Sequence, residues 1–574
     1  MKSFTSIRLC LLFAFVILFT SAQSVDKQNL KGLTFCNPLN LDYRFHTSGS
    51  SYREAADPMV VLYKDNYYIF ASHSGGYWYS PDFANWTFVT PTGIDIEKYA
   101  PSVWVMGNTM YYTSSEGGAI YKTGDPQKGV WEYISQPHVW QDPWVFADTD
   151  GKVYCYHNCS ENGTIDCVQL DPNNKFAVIG EEIKCFTSKP EVNGFEVNGD
   201  NNEKGLPWTE GSAMFKHNGL YYLTYATPGT ERRSYCDGYY VSKSPTGPFT
   251  FGKNSPATHR TLGFVTGIGH GGLFYDKAGN IWTIDCVNLS VKHMFQRRLA
   301  IFPMEIDKDG YLHAATTFGD YPQYLPGVKK NPALDNLAGW NLLSRAKKTT
   351  ASSTEGTNLT SNAVDEDMRT NWSATSGQTG EWFTIDLGET GTINAIQPNF
   401  YESGTNYTGG RKTAFTTRYI IEHSNDGIKW TLTYDNSTST KDEPHDYIEL
   451  DKPIKARFIR ITNKGEVPGG GKFSLCDFRI FGMGNGKAPN AVTTATVKRL
   501  EDQRYADVSW TKIKGADGYN IMYGIAPDKL YNQYQVMDAT SFPIRSLVVG
   551  LPYYFRVDAY NANGVTKGTQ VIKQ

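Results

Sequence analysis

Short apolar runs recur through the first half of the chain, each opened by a polar or small residue and closed by a tight turn and an aromatic. The clearest copy is EGSAMFKHNGLYY, from Glu210 to Tyr222. The same order of residue types starts at Asp57 (DPMVVLYKDNYY), Asp142 (DPWVFADTDGKVY) and His270 (HGGLFYDKAGNIW). Ala100 heads a fifth, degenerate copy, APSVWVMGNTMYY, with no ionisable residue at its head. Each copy predicts strand, tight turn, strand, with turns at Asp65-Asn66, Gly107-Asn108, Asp150-Gly151, Asn218-Gly219 and Gly279-Asn280. Self-similarity at spacings of tens of residues, without sustained helical periodicity, predicts an all-β fold: a five-bladed β-propeller over residues 33–325. In such a fold equivalent positions share a radius. The heads of the innermost strands therefore converge, and Asp57, Asp142, Glu210 and His270 are expected at one point.

The repeat stops at a Pro-rich break, PQYLPGVKKNP, from Pro322 to Pro332. A second domain is expected over 333–484 and, after the short linker GNGKAP, a third over 489–574. The third alternates apolar and polar residues (ADVSW, GYNIMYG, YYFRVDAYN), as a β-sandwich does. An insertion rich in Asn, Gly, Glu and Lys, Thr187 to Pro207, precedes Trp208 and Glu210 and reads equally as a pocket rim or a solvated excursion.

A chain of 574 residues suits several domains. Aromatics are 14 % of it, and 54 glycines fit a turn-rich β protein. Net charge is −3 with no long basic run, which argues against nucleic acid or an anionic membrane as partner. Residues 1–22 have the form of a signal peptide: Lys2 and Arg8, an apolar core from Leu9 to Phe19, then Ser21 and Ala22 before a cut at Gln23. The mature protein is thus expected to be secreted or periplasmic, with no membrane insertion after cleavage. Removing Cys10 leaves eight cysteines, of which Cys155, Cys159, Cys167 and Cys185 are clustered enough to pair or to remain buried thiols.

Across the first domain, CNP at Cys36 to Pro38, ADP at Ala56 to Pro58, DP at Asp142-Pro143, EG at Glu210-Gly211, GHG at Gly269 to Gly271 and Arg297 ahead of IFPMEID occur in one order. This set resembles glycoside hydrolase family 43, the five-bladed propellers of the arabinofuranosidase and xylosidase group. Invertase-like propellers (families 32 and 68) also carry three carboxylates, but there the middle acid typically follows Arg and the last precedes Cys. Here Gln141 precedes Asp142 and Gly211 follows Glu210. The second domain, with NLLSRAKKTTASS, NAVDEDMRTNWSA and GEWFTIDLG, resembles a discoidin-like (F5/8 type C) jelly roll. In it Trp372 and Trp382 are expected in the core, and Tyr401, Tyr407 and Arg411 in a Gly-rich loop. The third resembles a fibronectin type III sandwich, with Trp510 and Tyr554 as core aromatics.

The first resemblance implies a secreted, inverting exo-glycosidase acting on an oligo- or polysaccharide. Asp57 would be general base, Glu210 general acid, and Asp142 the group that tunes and orients the acid. Inversion places the two working carboxyls about 6.5–9.5 Å apart to admit a water. A neighbouring negative charge is one means of raising an acid's pKa, so three carboxylates with distinct roles are chemically coherent. Arg297, Trp78, Trp104, Trp208 and His270 are the expected substrate contacts. No cofactor is required; the one candidate ion is Ca2+, with His270 as metal ligand, and a hydrogen-bonded histidine is its alternative. α-L-Arabinofuranose is the expected released sugar. The alternatives are β-xylosidase or β-galactofuranosidase/galactosidase activity on the same scaffold, or a non-catalytic carbohydrate-binding protein.

Overall fold

The computed structural model describes residues 32–46, 52–95, 98–161, 163–406 and 415–574. The expected signal peptide and the loop residues Tyr407 and Arg411 lie outside the described residues.

Five four-stranded antiparallel sheets, each with its strands in sequence order, form the first domain. Their innermost strands are Ala56–Tyr63, Ser102–Met106, Trp144–Ala147, Glu210–His217 and Gly269–Tyr275. These are the five repeat copies, so the fold is the expected β-propeller. The turn of the first copy falls one residue before the expected position: Lys64 and Asp65 both have positive φ and Asn66 already pairs with Tyr63. The Cys36-Asn37-Pro38 segment closes the ring. The Asn37 side chain donates to the carbonyls of Ile301 (2.8 Å) and Gly319 (2.7 Å) and accepts from Ile301 N–H (3.1 Å), binding the chain start to the last blade.

The second domain is one eight-stranded sheet folded around a common core through two long strands, Trp382–Phe400 and Ile448–Asn463. Phe383, Ile385, Ile396, Ile461 and Phe478 fill that core with Trp372, which is fully buried; Trp382 is only half-buried. The third domain packs a three-stranded sheet (Ala495–Arg499, Ala506–Trp510, Ser541–Ile544) on a larger one centred on Gly518–Gly524 and Tyr554–Asn561. Trp510 and Phe555 lie in their shared core, whereas Tyr554 is half-buried.

All three domains meet at a buried charge network. Arg260 of the propeller donates to Asp320 (2.6 Å) and to Gln535 of the third domain (2.6 Å). Arg479 of the second domain forks onto Glu366 (2.8 and 2.8 Å) and donates to the Asp320 carbonyl. The two arginines, Asp320 and Glu366 are almost wholly removed from solvent, so each charge depends on the others for compensation.

The segment after Thr187 is no solvated excursion. Gly194 N–H donates to Leu547 O (2.9 Å), Val549 N–H to Val192 O (2.9 Å), and Arg504 to Pro190 O (2.7 Å), so the third domain holds it. A Cβ on Gly194 would meet Leu547 O at 2.7 Å, which is why the backbones can approach so closely.

Candidate active site

Each inner strand turns sharply at its head. Asp57 (φ 49°), Ala100 (44°), Asp142 (47°), Gly211 (60°) and His270 (52°) all take the left-handed conformation. In the first, fourth and fifth blades the ladder skips at this position, from Ala56 to Met59, Glu210 to Ala213 and Gly269 to Gly272: a β-bulge. In three blades a side chain of the preceding blade accepts the N–H of the left-handed head residue, with or without a bulge there. Ala100 N–H donates to Ser72 Oγ (2.7 Å), Asp142 N–H to Ser115 Oγ (3.0 Å) and His270 N–H to Asp237 Oδ1 (3.0 Å).

This geometry corrects the repeat alignment. Gly211, not Glu210, is the structural equivalent of Asp57, Asp142 and His270. Glu210 precedes the bulge and is equivalent to Ala56. It still reaches the axis, because Gly211 leaves room: a Cβ there would lie 2.6 Å from the His270 ring.

The heads line a cavity of about 500 Å³ that contains Asp57, Asp142, Glu210, His270 and Arg297. Asp57 accepts from Ser72 Oγ (2.5 Å) and Arg297 (3.1 Å), and His270 Nδ1 is 3.2 Å away. Burial by itself would raise its carboxyl, but Arg297, His270 and Ser72 together hold it below the usual carboxylate range. Arg297 is itself fixed by Glu54 (2.8 Å) and Thr230 (3.0 Å). Glu210 accepts from Tyr235 OH (2.5 Å) and from the Cys159 thiol (3.2 Å). Asp142 behaves oppositely to Asp57: burial pushes it up to about 7, the charges of Glu210 and Asp57 adding to the rise against the pull of His270. Burial would lower His270, yet the surrounding Asp57, Asp142 and Glu210 carboxylates raise it.

Of the expected tryptophans only Trp208 reaches the cavity, 39 % exposed. Trp78 and Trp104 do not wall the site. Trp78 is 1 % exposed in the core between the first and last blades, its indole N–H donating to Asp42 (2.7 Å). Trp104 is 4 % exposed, stacked on Tyr111 and edge-on to Phe176. Both project from blade strands beyond the head, where the period of two sends side chains between blades.

His270 Nδ1 lies 3.2 Å from Asp57 Oδ1 and 3.8 Å from Asp142 Oδ2. Calcium takes about six to eight oxygen ligands. The clusters of three candidate ligand atoms among the described residues, Asp142–Cys159–Glu210 and His46–Glu54–His73, do not include His270.

Several groups escaped sequence reasoning. Glu54, Ser72, Cys159, Thr230 and Tyr235 sit outside the repeat heads, and only the fold brings them in. The Cys155, Cys159, Cys167 and Cys185 cluster forms no disulfide, and the eight cysteines among the described residues are all thiols. Asn198 and Leu206 of the insertion line the cavity and make it part of the rim.

Residues 52–312 match the model for glycosyl hydrolases family 43, and residues 348–477 match the F5/8 type C domain. Residues 52–312 thus form a glycosyl hydrolases family 43 domain, and residues 348–477 an F5/8 type C domain. It is similar to a β-D-galactofuranosidase of Aspergillus niger, 25 % identical over 34 % of this chain and 63 % of that protein. It is also similar to a β-xylosidase of Xylanibacter ruminicola, 27 % identical over 34 % of this chain and 61 % of that one. The matched region thus spans a little under two-thirds of each relative. A solved glycoside hydrolase superposes with TM-score 0.45 at 20 % identity, covering 77 % of this chain and all of that one.

Proposed function

We propose that the protein is an exported exo-glycosidase that hydrolyses terminal sugars from a glycan with inversion, α-L-arabinofuranose being the preferred sugar. The observation that carries this reading is the convergence of Asp57, Asp142, Glu210, His270 and Arg297 in one cavity, with two of the carboxyls driven in opposite directions.

Asp57, kept ionised by Arg297 and Ser72, takes a proton from water as the water oxygen bonds to the anomeric carbon. Glu210 gives its proton to the glycosidic oxygen as the bond from that oxygen to the anomeric carbon breaks. Asp142 stands beside Glu210 as the third carboxyl of the cluster and orients it, and Arg297 orients Asp57. Trp208 offers an aromatic face to the sugar. The names of the two curated relatives make β-D-galactofuranose and β-xylose the rival sugars.

The test is release from p-nitrophenyl α-L-arabinofuranoside, β-D-xylopyranoside and β-D-galactofuranoside by wild type, Glu210→Gln and Asp57→Asn. The expected result is one preferred sugar, about 10²–10⁴-fold loss with Asp57→Asn, and an inverted product by proton NMR. Wild-type rates in Asp57→Asn, or a retained anomer, would overturn it.

A further inference from the structure

Between the two carboxylates that follow Gln141 and Thr209 lies a residue that the acid–base scheme does not use. The loop after strand Val153–His157 is stitched to both flanks of the site. Asn158 N–H donates to Gln141 O (2.9 Å), on the residue before Asp142. Ser160 N–H donates to Thr209 O (3.1 Å) and Ser160 O accepts from Thr209 N–H (3.0 Å), on the residue before Glu210. Cys159 is held between these anchors, with its own N–H fixed on Asn158 Oδ1 (2.8 Å). Its thiol donates to Glu210 Oε2 (3.2 Å), while the indole N–H of Trp208 donates to the sulfur (3.1 Å). Asp142, Cys159 and Glu210 bring their polar atoms within 4.8 Å of one another. Asp142 Oδ2 is buried there with no hydrogen-bond partner.

We infer that Cys159 is a positioning residue for the acid: its thiol fixes one carboxyl oxygen of Glu210 and ties that oxygen to the sugar-facing ring of Trp208. This rests on the proposed role of Glu210. Burial, with the charges of Asp142 and Glu210 adding, raises the thiol, so it stays protonated and remains a donor at working pH. The choice of sulfur has a reason. S–H is a weak donor, so it can orient the carboxyl without strongly favouring the ionised form, which would hinder proton donation. A hydroxyl in its place would favour the carboxylate more, and a methyl would not favour it at all.

The two substitutions therefore act in opposite directions. Cys159→Ser should move the alkaline limb of the kcat/KM profile to lower pH, and Cys159→Ala should move it to higher pH. Cys159→Ala should also lower kcat roughly tenfold on a poor leaving group and less on p-nitrophenyl glycosides, with KM little changed. Trp208→Phe, which keeps a ring but removes the indole donor, should share the leaving-group effect in weaker form. If Cys159→Ala fails to fold, Cys159→Ser and Trp208→Phe still test the idea. Glu210→Gln is run beside them. If it abolishes turnover of the poor leaving group while both Cys159 variants keep the wild-type limb, the inference is overturned. If Glu210→Gln retains wild-type turnover, the underlying assignment of the acid has failed instead.

Discussion

Arg297 and Arg298 are adjacent in the chain and serve different domains. Arg297 turns to the cavity and pairs with Asp57 and Glu54, whereas Arg298 turns outward to His445 (3.0 Å) and Glu402 (3.5 Å) of the F5/8 type C domain. Residues 53 and 54 repeat the arrangement: Glu54 holds Arg297, and Arg53 pairs with Glu402 (2.5 Å) and Asp442 (2.7 Å). Side chains alternate across a strand, so a strand fixed on one face by the neighbouring domain has its other face fixed as well. Arg233 on the cavity-side loop is likewise held by Asp367 (2.9 and 2.7 Å), and Arg369 donates to Glu231 O (2.8 Å). The second domain is thus built into the supports of the charged groups that line the cavity.

A chain ending near Pro326 should therefore lose activity on small aryl glycosides as completely as on polymer. The truncation leaves Arg53, Arg260 and Arg298 without the partners that Glu402, Asp442 and Gln535 supply. It also exposes apolar propeller residues that the appended domains now cover, Phe318 and Tyr321 against Phe481 and Tyr560. The check is soluble yield, denaturant midpoint and turnover of a p-nitrophenyl glycoside. A soluble truncated protein with wild-type turnover on the aryl glycoside and a loss only on polymer would make the second domain a targeting module instead.

Asp142→Asn should be less active and more stable. In the native state this carboxyl keeps its proton up to about 7, whereas the unfolded chain releases it near 3.8. Between those values the native state binds more protons, so the contribution of Asp142 to stability falls as pH rises. The difference corresponds to an upper bound of about 4 kcal/mol, shared with the coupled neighbours. Asparagine carries no such cost. The midpoint gap between variant and wild type should open from about pH 4 and level off above about pH 7. Urea titrations at several pH values measure it directly, and parallel curves for the two proteins would refute the assignment of the buried charge.

The blades were legible in the sequence because strand, turn and strand are local events written in apolar runs and turn residues. The convergence of Asp57, Asp142 and His270 followed from the repeat, since one left-handed residue recurs at the head of each inner strand, at one radius. The position of Glu210 was misread by one residue. EG looks like another acidic head, but the conformation needed at the bulge falls on Gly211, and only the ladder register reveals it. Glu54, Thr230 and Cys159 carried no signal, because each reaches the site through pairing distant in sequence. The tryptophans were misplaced for a related reason: residue type marks a ring as large and apolar, and only radius decides whether it faces a sugar or a neighbouring blade.

Trp104 and Trp208 should separate under the same substitution. Trp104 is buried against Tyr111 and Phe176 in the interface of the second and third blades, away from the cavity. Its replacement by alanine should cost about 3–5 kcal/mol of stability and leave KM unchanged in the protein that remains folded. Trp208 is partly exposed on the cavity wall, so its replacement exposes little core but removes an aromatic face and the donor to Cys159. Trp208→Ala should shift the denaturant midpoint little, raise KM and lower kcat. Midpoints and Michaelis constants for both variants decide the matter: a raised KM in Trp104→Ala at unchanged stability would return that ring to the substrate.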